Sequence, residues 1–143
     1  MKGIYSCTYL DKSSSNRLYK LLDLFNIKKH VDYPLHATIV HSEVTPSRLQ
    51  PLYSKIIKMR CVELFYINDF SLVIRVQSSL LDRLHNRWIT RGAVNSFPNY
   101  IQHVTINCKS SIDEYNLTLI SKYLKANKIF IYGKPEQYTA LEL

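Results

Sequence analysis

A chain of 143 residues carrying a net charge of +8, with 46% of its residues apolar, is long enough to bury one core and too hydrophobic to be disordered. None of its apolar runs approaches the roughly 20 residues a membrane-spanning helix needs. The excess of 19 Lys and Arg over 11 Asp and Glu favours phosphate-bearing partners, nucleotides or nucleic acid.

The opening KGIYSCTYL is rich in β-branched and aromatic residues and reads as a strand, closed by the turn-forming DKSSSN. Its apolar part is too short for a signal peptide, so the product is expected in the cytoplasm. The serines and Asn16 can cap a helix, and NRLYKLLDLF places Leu18, Leu21, Leu22 and Phe25 at helical spacing. After the loop NIKKHVDYP, the run LHATIVHS is predicted as a strand. TPSRLQPLYSKIIK, with two prolines, is read as holding one or two helical turns. CVELFYIND and FSLVIRVQ follow as paired strands about an Asn-Asp turn. SSLLDRLHNRWITR is a helix with Leu80, Leu81, Leu84 and Trp88 on its buried stripe. GAVNSFPNY is loop, IQHVTINC strand, SIDEYNLTLISKYLKAN a capped helix, and KIFIYGKPEQYTALEL a strand with an extended tail.

The halves repeat one another in pattern. Strand, helix, loop and HAT strand in residues 1–66 match strand, helix, loop and HVT strand in residues 67–143, without appreciable sequence identity. The expectation is a single domain of two similar lobes, related by a pseudo-twofold that brings the two HxT strands face to face.

On a strand His36 and Thr38 share a face, as do His103 and Thr105. Ala37, Ile39, Val104 and Ile106 then point to the core. Polar groups on so apolar a segment need partners or water, since burying them unpaired costs a few kcal/mol. Two imidazoles across a cleft suit phosphodiester cleavage. One takes a proton from the attacking oxygen and the other gives one to the leaving oxygen, both titrating near neutrality. The threonine hydroxyls can hold the non-bridging oxygens as charge develops. No metal or other cofactor is needed, and the histidines lack carboxylate or Cys companions at ligand spacing. One HxT alone would carry little, but two in the same place of a repeated pattern form a constellation.

With its HAT at 36–38 and HVT at 103–105, the sequence resembles the 2H phosphoesterase superfamily, whose signature is two H-x-[TS] motifs on the inner strands of a bilobal fold. That resemblance implies an α+β class, two pseudo-symmetric lobes of antiparallel sheet with helices outside and a central cleft. Within the superfamily, KGIY, HATIVHS, FPNYIQHVTI and YGKPEQYTALEL are similar to short bacteriophage proteins that disable CBASS, the bacterial cyclic-oligonucleotide defence. The implied activity is a metal-independent phosphodiesterase opening 3′–5′ linkages of cyclic di- and trinucleotides such as cyclic GMP–AMP, in the infected cell's cytoplasm. His36 and His103 would be the acid–base pair and Thr38 and Thr105 the phosphate grip. The resemblance further implies that Tyr5 stacks on a base and that Glu136 contacts a nucleobase or orders a catalytic group. No stable nucleic-acid or membrane partner is expected.

Two other functions fit the same residues: a 2′,3′-cyclic phosphodiesterase acting on RNA ends, and a non-catalytic nucleotide binder. Of the remaining candidates, His41 is read as facing away from His36 and Ser42 as sharing the catalytic face. His30 and His85 are read as solvated, and Trp88 as core. Arg75, Arg91, Lys109 and Lys134 could neutralise phosphate. Cys7, Cys61 and Cys108, without CxxC spacing, are expected to be reduced core thiols.

Overall fold

A computed structural model of the protein describes residues 2–28, 33–48, 51–69, 71–107 and 111–142. Along the chain run β1 (Lys2–Tyr9), α1 (Lys12–Leu24), β2 (His36–Ser42), β3 (Ile57–Asn68), β4 (Ser71–Gln77), α2 (Ser79–Thr90), β5 (His103–Thr105), α3 (Glu114–Ala126), β6 (Phe130–Gly133) and β7 (Gln137–Glu142). The class is α+β. A single seven-stranded antiparallel sheet runs in the order β6-β3-β4-β5-β2-β1-β7. The repeated pattern is still visible within it, because β1 beside β2 and β4 beside β5 flank the central β2–β5 contact.

The sheet curls on itself. Although β6 is an edge strand far from β1 in the ladder, Leu10 bridges Gly133, Lys134 N–H donates to Tyr9 O at 2.7 Å, and Asp11 N–H donates to Tyr132 O at 3.0 Å. Gly133 is required at this closure, since a Cβ there would run into the Thr8 side chain.

Each helix begins on a side chain that accepts from a first-turn amide: Asp11 from Ser14 at 2.7 Å, Ser78 from Leu81 at 3.2 Å, Asp113 from Asn116 at 2.8 Å. Asp11 caps α1, and not the serines after it, which is why that helix starts at Lys12; the buried Ser14 hydroxyl instead accepts from Tyr132 N–H. The helical stripes Leu18, Leu21 and Leu22, then Leu81, Leu84 and Trp88, then Leu117, Ile120 and Leu124, join one core with Ala37, Ile39, Val40, Ile74, Val104 and Ile106. Cys7 and Cys61 are buried free thiols, as expected; Cys108 lies outside the described residues.

Three segments differ from the sequence expectation. The described part of residues 45–58 contains no helix, and β3 starts at Ile57 because Ile57 and Met59 pair with Gly133 and Ile131 of β6. β5 is only three residues long, ended by Asn107 at φ 51°, whose amide and side chain both bond Leu72. The extended tail is the strand β7, paired antiparallel with β1 from Lys2 to Cys7.

Candidate active site

Ala37 pairs with Val104 where β2 meets β5 antiparallel. This register sets Thr105 opposite His36 and Thr38 opposite His103, all four on the sheet face away from the helices. The two imidazoles are then diagonal neighbours, on residues roughly 7–8 Å apart, within reach of one another.

Both rings are held in the same way. His36 Nδ1–H donates to Pro34 O at 2.9 Å, and His103 Nδ1–H donates to Ile101 O at 2.6 Å. In each case the partner is the carbonyl two residues back. A carbonyl can only accept, so Nδ1 carries the proton and Nε2 is left for other partners in both. Burial pushes the His103 imidazole below its usual range, opposed by the Ile101 bond and reinforced by His36. The ring of His36 lies among Tyr9, Tyr33 and Tyr5, with centroids 5.6, 5.4 and 6.3 Å away.

Tyr5 belongs to this group. Its hydroxyl bonds Thr38 Oγ1 at 3.0 Å, and burial raises it to about 12, so it stays protonated. When Tyr5 donates, the Thr38 proton is left for an acceptor in the cleft. Arg75, opposite His103 on β4, brings a cation to the same row, held by Glu63 at 2.6 Å. Cys7 stands opposite Thr38, its thiol held neutral chiefly by burial.

Two β-bulges determine what else reaches this face. In β2 the pairing steps from Cys7–Thr38 to Ser6–Val40, leaving Ile39 as the extra residue. The alternation therefore shifts, and the expectation for the next two residues is reversed. His41 pairs with Tyr5 on the site face, at a ring separation of 5.9 Å, while Ser42 turns inward, fully buried, bonding Val44 and Val94. In β3 the step from Cys61 to Glu63 skips Val62 and delivers Glu63, not Val62, to Arg75.

The carbonyls around the first bulge are met by two side chains that sequence reasoning missed. Tyr100 OH donates to Thr38 O at 2.8 Å, and His85 Nδ1–H donates to Ile39 O at 2.7 Å, the two rings stacked 3.8 Å apart. His85 is thus buried in the core and not solvated, because α2 lays it against the bulge.

Glu136 is not brought to the histidines. Its carboxylate is buried on the helix side of β1, accepting from Ser6 Oγ at 2.5 Å, Trp88 Nε1 at 2.8 Å and Tyr53 N at 3.0 Å. Ser6 lies between Tyr5 and Cys7 on β1 and so points to the opposite face. In the free protein all three contacts of this carboxylate are with the protein's own donors. Trp88 is core, as expected. Lys134 is exposed next to the β1–β6 closure; His30 and Lys109 lie outside the described residues. Among the described residues no group of three or more His, Cys, Asp or Glu side chains could hold a metal ion.

An α+β sheet with paired histidines and hydroxyls on its open face is the frame of a small protein built around one polar site. The chain matches the family model of the anti-CBASS protein Acb1 over residues 2–142, and it belongs to that family. No curated protein matches it. No helix among the described residues is long and apolar enough to cross a membrane.

Proposed function

We propose that the protein is a 2H-type phosphodiesterase that hydrolyses 3′–5′ linkages of cyclic di- and trinucleotide messengers, such as cyclic GMP–AMP, and so silences CBASS. The observation that carries this reading is the Ala37–Val104 register, with both histidines tied through Nδ1 to the carbonyl two residues back. That register puts His36, Thr38, His103 and Thr105 on one face of two neighbouring strands, which supports attack and departure at a single phosphodiester. Membership in the anti-CBASS family supports the substrate class.

In the proposed step His103, which burial favours in the neutral form, takes the proton of an attacking water or ribose 2′-hydroxyl as the new P–O bond forms. The bond to the leaving oxygen breaks as His36, entering the step as the imidazolium with a second proton on Nε2, protonates it. Thr38 and Thr105 donate to the non-bridging oxygens, and Arg75 adds positive charge on the His103 side.

Turnover of cyclic GMP–AMP and of a 2′,3′-cyclic nucleotide, compared in EDTA, tests the reading. The expected result is cleavage of the first at least about 100-fold faster. Preference for the second makes the protein an RNA-end phosphodiesterase, and tight binding without cleavage of either makes it a sequestering protein.

The direction of the His103 shift gives a pH dependence. A base whose folded pKa is depressed stays competent below the usual imidazole value of about 6.5. The acid limb of kcat/KM is therefore expected to have its midpoint below pH 6.5, with activity lost as pH falls through it. A limb centred above pH 7 would remove His103 from the role of base.

A further inference from the structure

The displacement of His41 to the site face has a second effect. Residues 94–97 run along the end of β2 and are pinned to it: Asn95 bridges Ser42, Ser96 N–H donates to His41 O at 2.8 Å, and Val94 N–H donates to Ser42 Oγ at 3.0 Å. The tip is fixed as well, since Asn95 Nδ2 donates to Phe97 O at 2.7 Å and the His41 ring bonds Ser96 Oγ at 2.8 Å. On this rigid tip stands Phe97, 61% exposed, its ring 5.9 Å from His41. His41 in turn meets Tyr5 at 5.9 Å, and Tyr5 meets His36 at 6.3 Å. An unbroken succession of rings thus leads from the catalytic histidine to an aromatic surface held out to solvent.

An exposed phenylalanine on a loose loop would carry no meaning, because scattered surface apolar residues are ordinary. This one is backed by His41 on one side, anchored at its backbone, and open on the other. That is a preorganised stacking platform, with little ordering entropy left to lose on binding. The spacing of His41 from Phe97 is too small to admit a flat ring between them, so a guest lies on the outer face of Phe97.

We propose that Phe97, backed by His41, is a nucleobase subsite: it stacks the base of a nucleotide whose phosphate lies between His36 and His103. This rests on the phosphodiesterase reading. It assigns the specificity of the site to base stacking, which every nucleobase satisfies, and not to edge-reading hydrogen bonds.

The test uses the His36→Ala protein, which holds substrate uncut, titrated with cyclic GMP–AMP by calorimetry with and without Phe97→Ala. The second substitution is expected to weaken binding about 10- to 50-fold, and Phe97→Tyr by less than about threefold. In the otherwise wild-type protein, Phe97→Ala is expected to leave cleavage of an abasic ribosyl phosphodiester, which offers no ring to stack, unchanged. Equal affinity with and without Phe97, or an equal loss on the diester, overturns the subsite while the phosphodiesterase reading stands. Failure of the His36→Ala protein to bind any cyclic nucleotide, together with no turnover by the wild type, overturns both.

Discussion

His36→Ala and His103→Ala are each expected to reduce turnover of cyclic GMP–AMP by about 10³-fold or more while leaving its binding within about threefold. In the proposed mechanism each variant removes one proton transfer, worth about 10²–10⁴-fold on its own. The loss falls on kcat, because a ring that acts only as the bonds change contributes little to holding the ground state. The two changes should not multiply. Once one transfer is missing the other has no concerted partner, and the double variant is expected to be at most about tenfold worse than the poorer single one. Product formation followed by chromatography, with calorimetry for binding, measures both quantities. A residual rate within tenfold of the wild type for either single variant would disprove the acid–base pair.

Glu136→Ala carries the other large effect, on a different property. Three donors converge on this buried carboxylate, from Ser6, Trp88 and Tyr53, and truncation leaves them without an acceptor. Charged-acceptor bonds lost at a buried site cost about 1–3 kcal/mol each, less than additively, so ~4 kcal/mol is expected in all. In a chain of this length that lowers the melting temperature by roughly 10–15 °C. Glu136→Gln retains one acceptor oxygen and is expected to lose about half as much. At a temperature where the variant is still folded, turnover per molecule should stay within about threefold of wild type. An unchanged melting temperature combined with lost substrate binding would return Glu136 to the substrate.

Much of this was legible in the sequence, and the failures have separate physical causes. The paired HxT motifs, the three amphipathic helices and the repeated strand–helix–strand pattern depend on local periodicity, and local periodicity is what a sequence displays. His41, Ser42 and Glu63 depend on bulges, which shift the alternation by one residue. A trace was present: Ile39-Val40 and Cys61-Val62 are adjacent apolar pairs inside strands that otherwise alternate, and both members of each pair are buried. His85 was misread, and the partners of Glu136 went unseen, for another reason. A polar residue in a loop or on a helix reads as solvated unless its donors and acceptors can be named, and those came from β1, α2, the chain around Tyr53 and the bulged carbonyl of β2. Short β5 was overestimated because the apolar run around HVT continues past the point where Asn107 turns the chain.

The symmetry about Ala37 and Val104 has a consequence for how labour is divided between the imidazoles. The backbone frame treats them as interchangeable, each with the same tether and the same hydroxyl across the ladder. What tells them apart is company: tyrosine rings around one, a guanidinium–carboxylate couple and deeper enclosure around the other. In the proposed reaction the direction of proton flow is therefore set by the side chains around each imidazole, and exchanging those surroundings is expected to reverse it without touching either histidine.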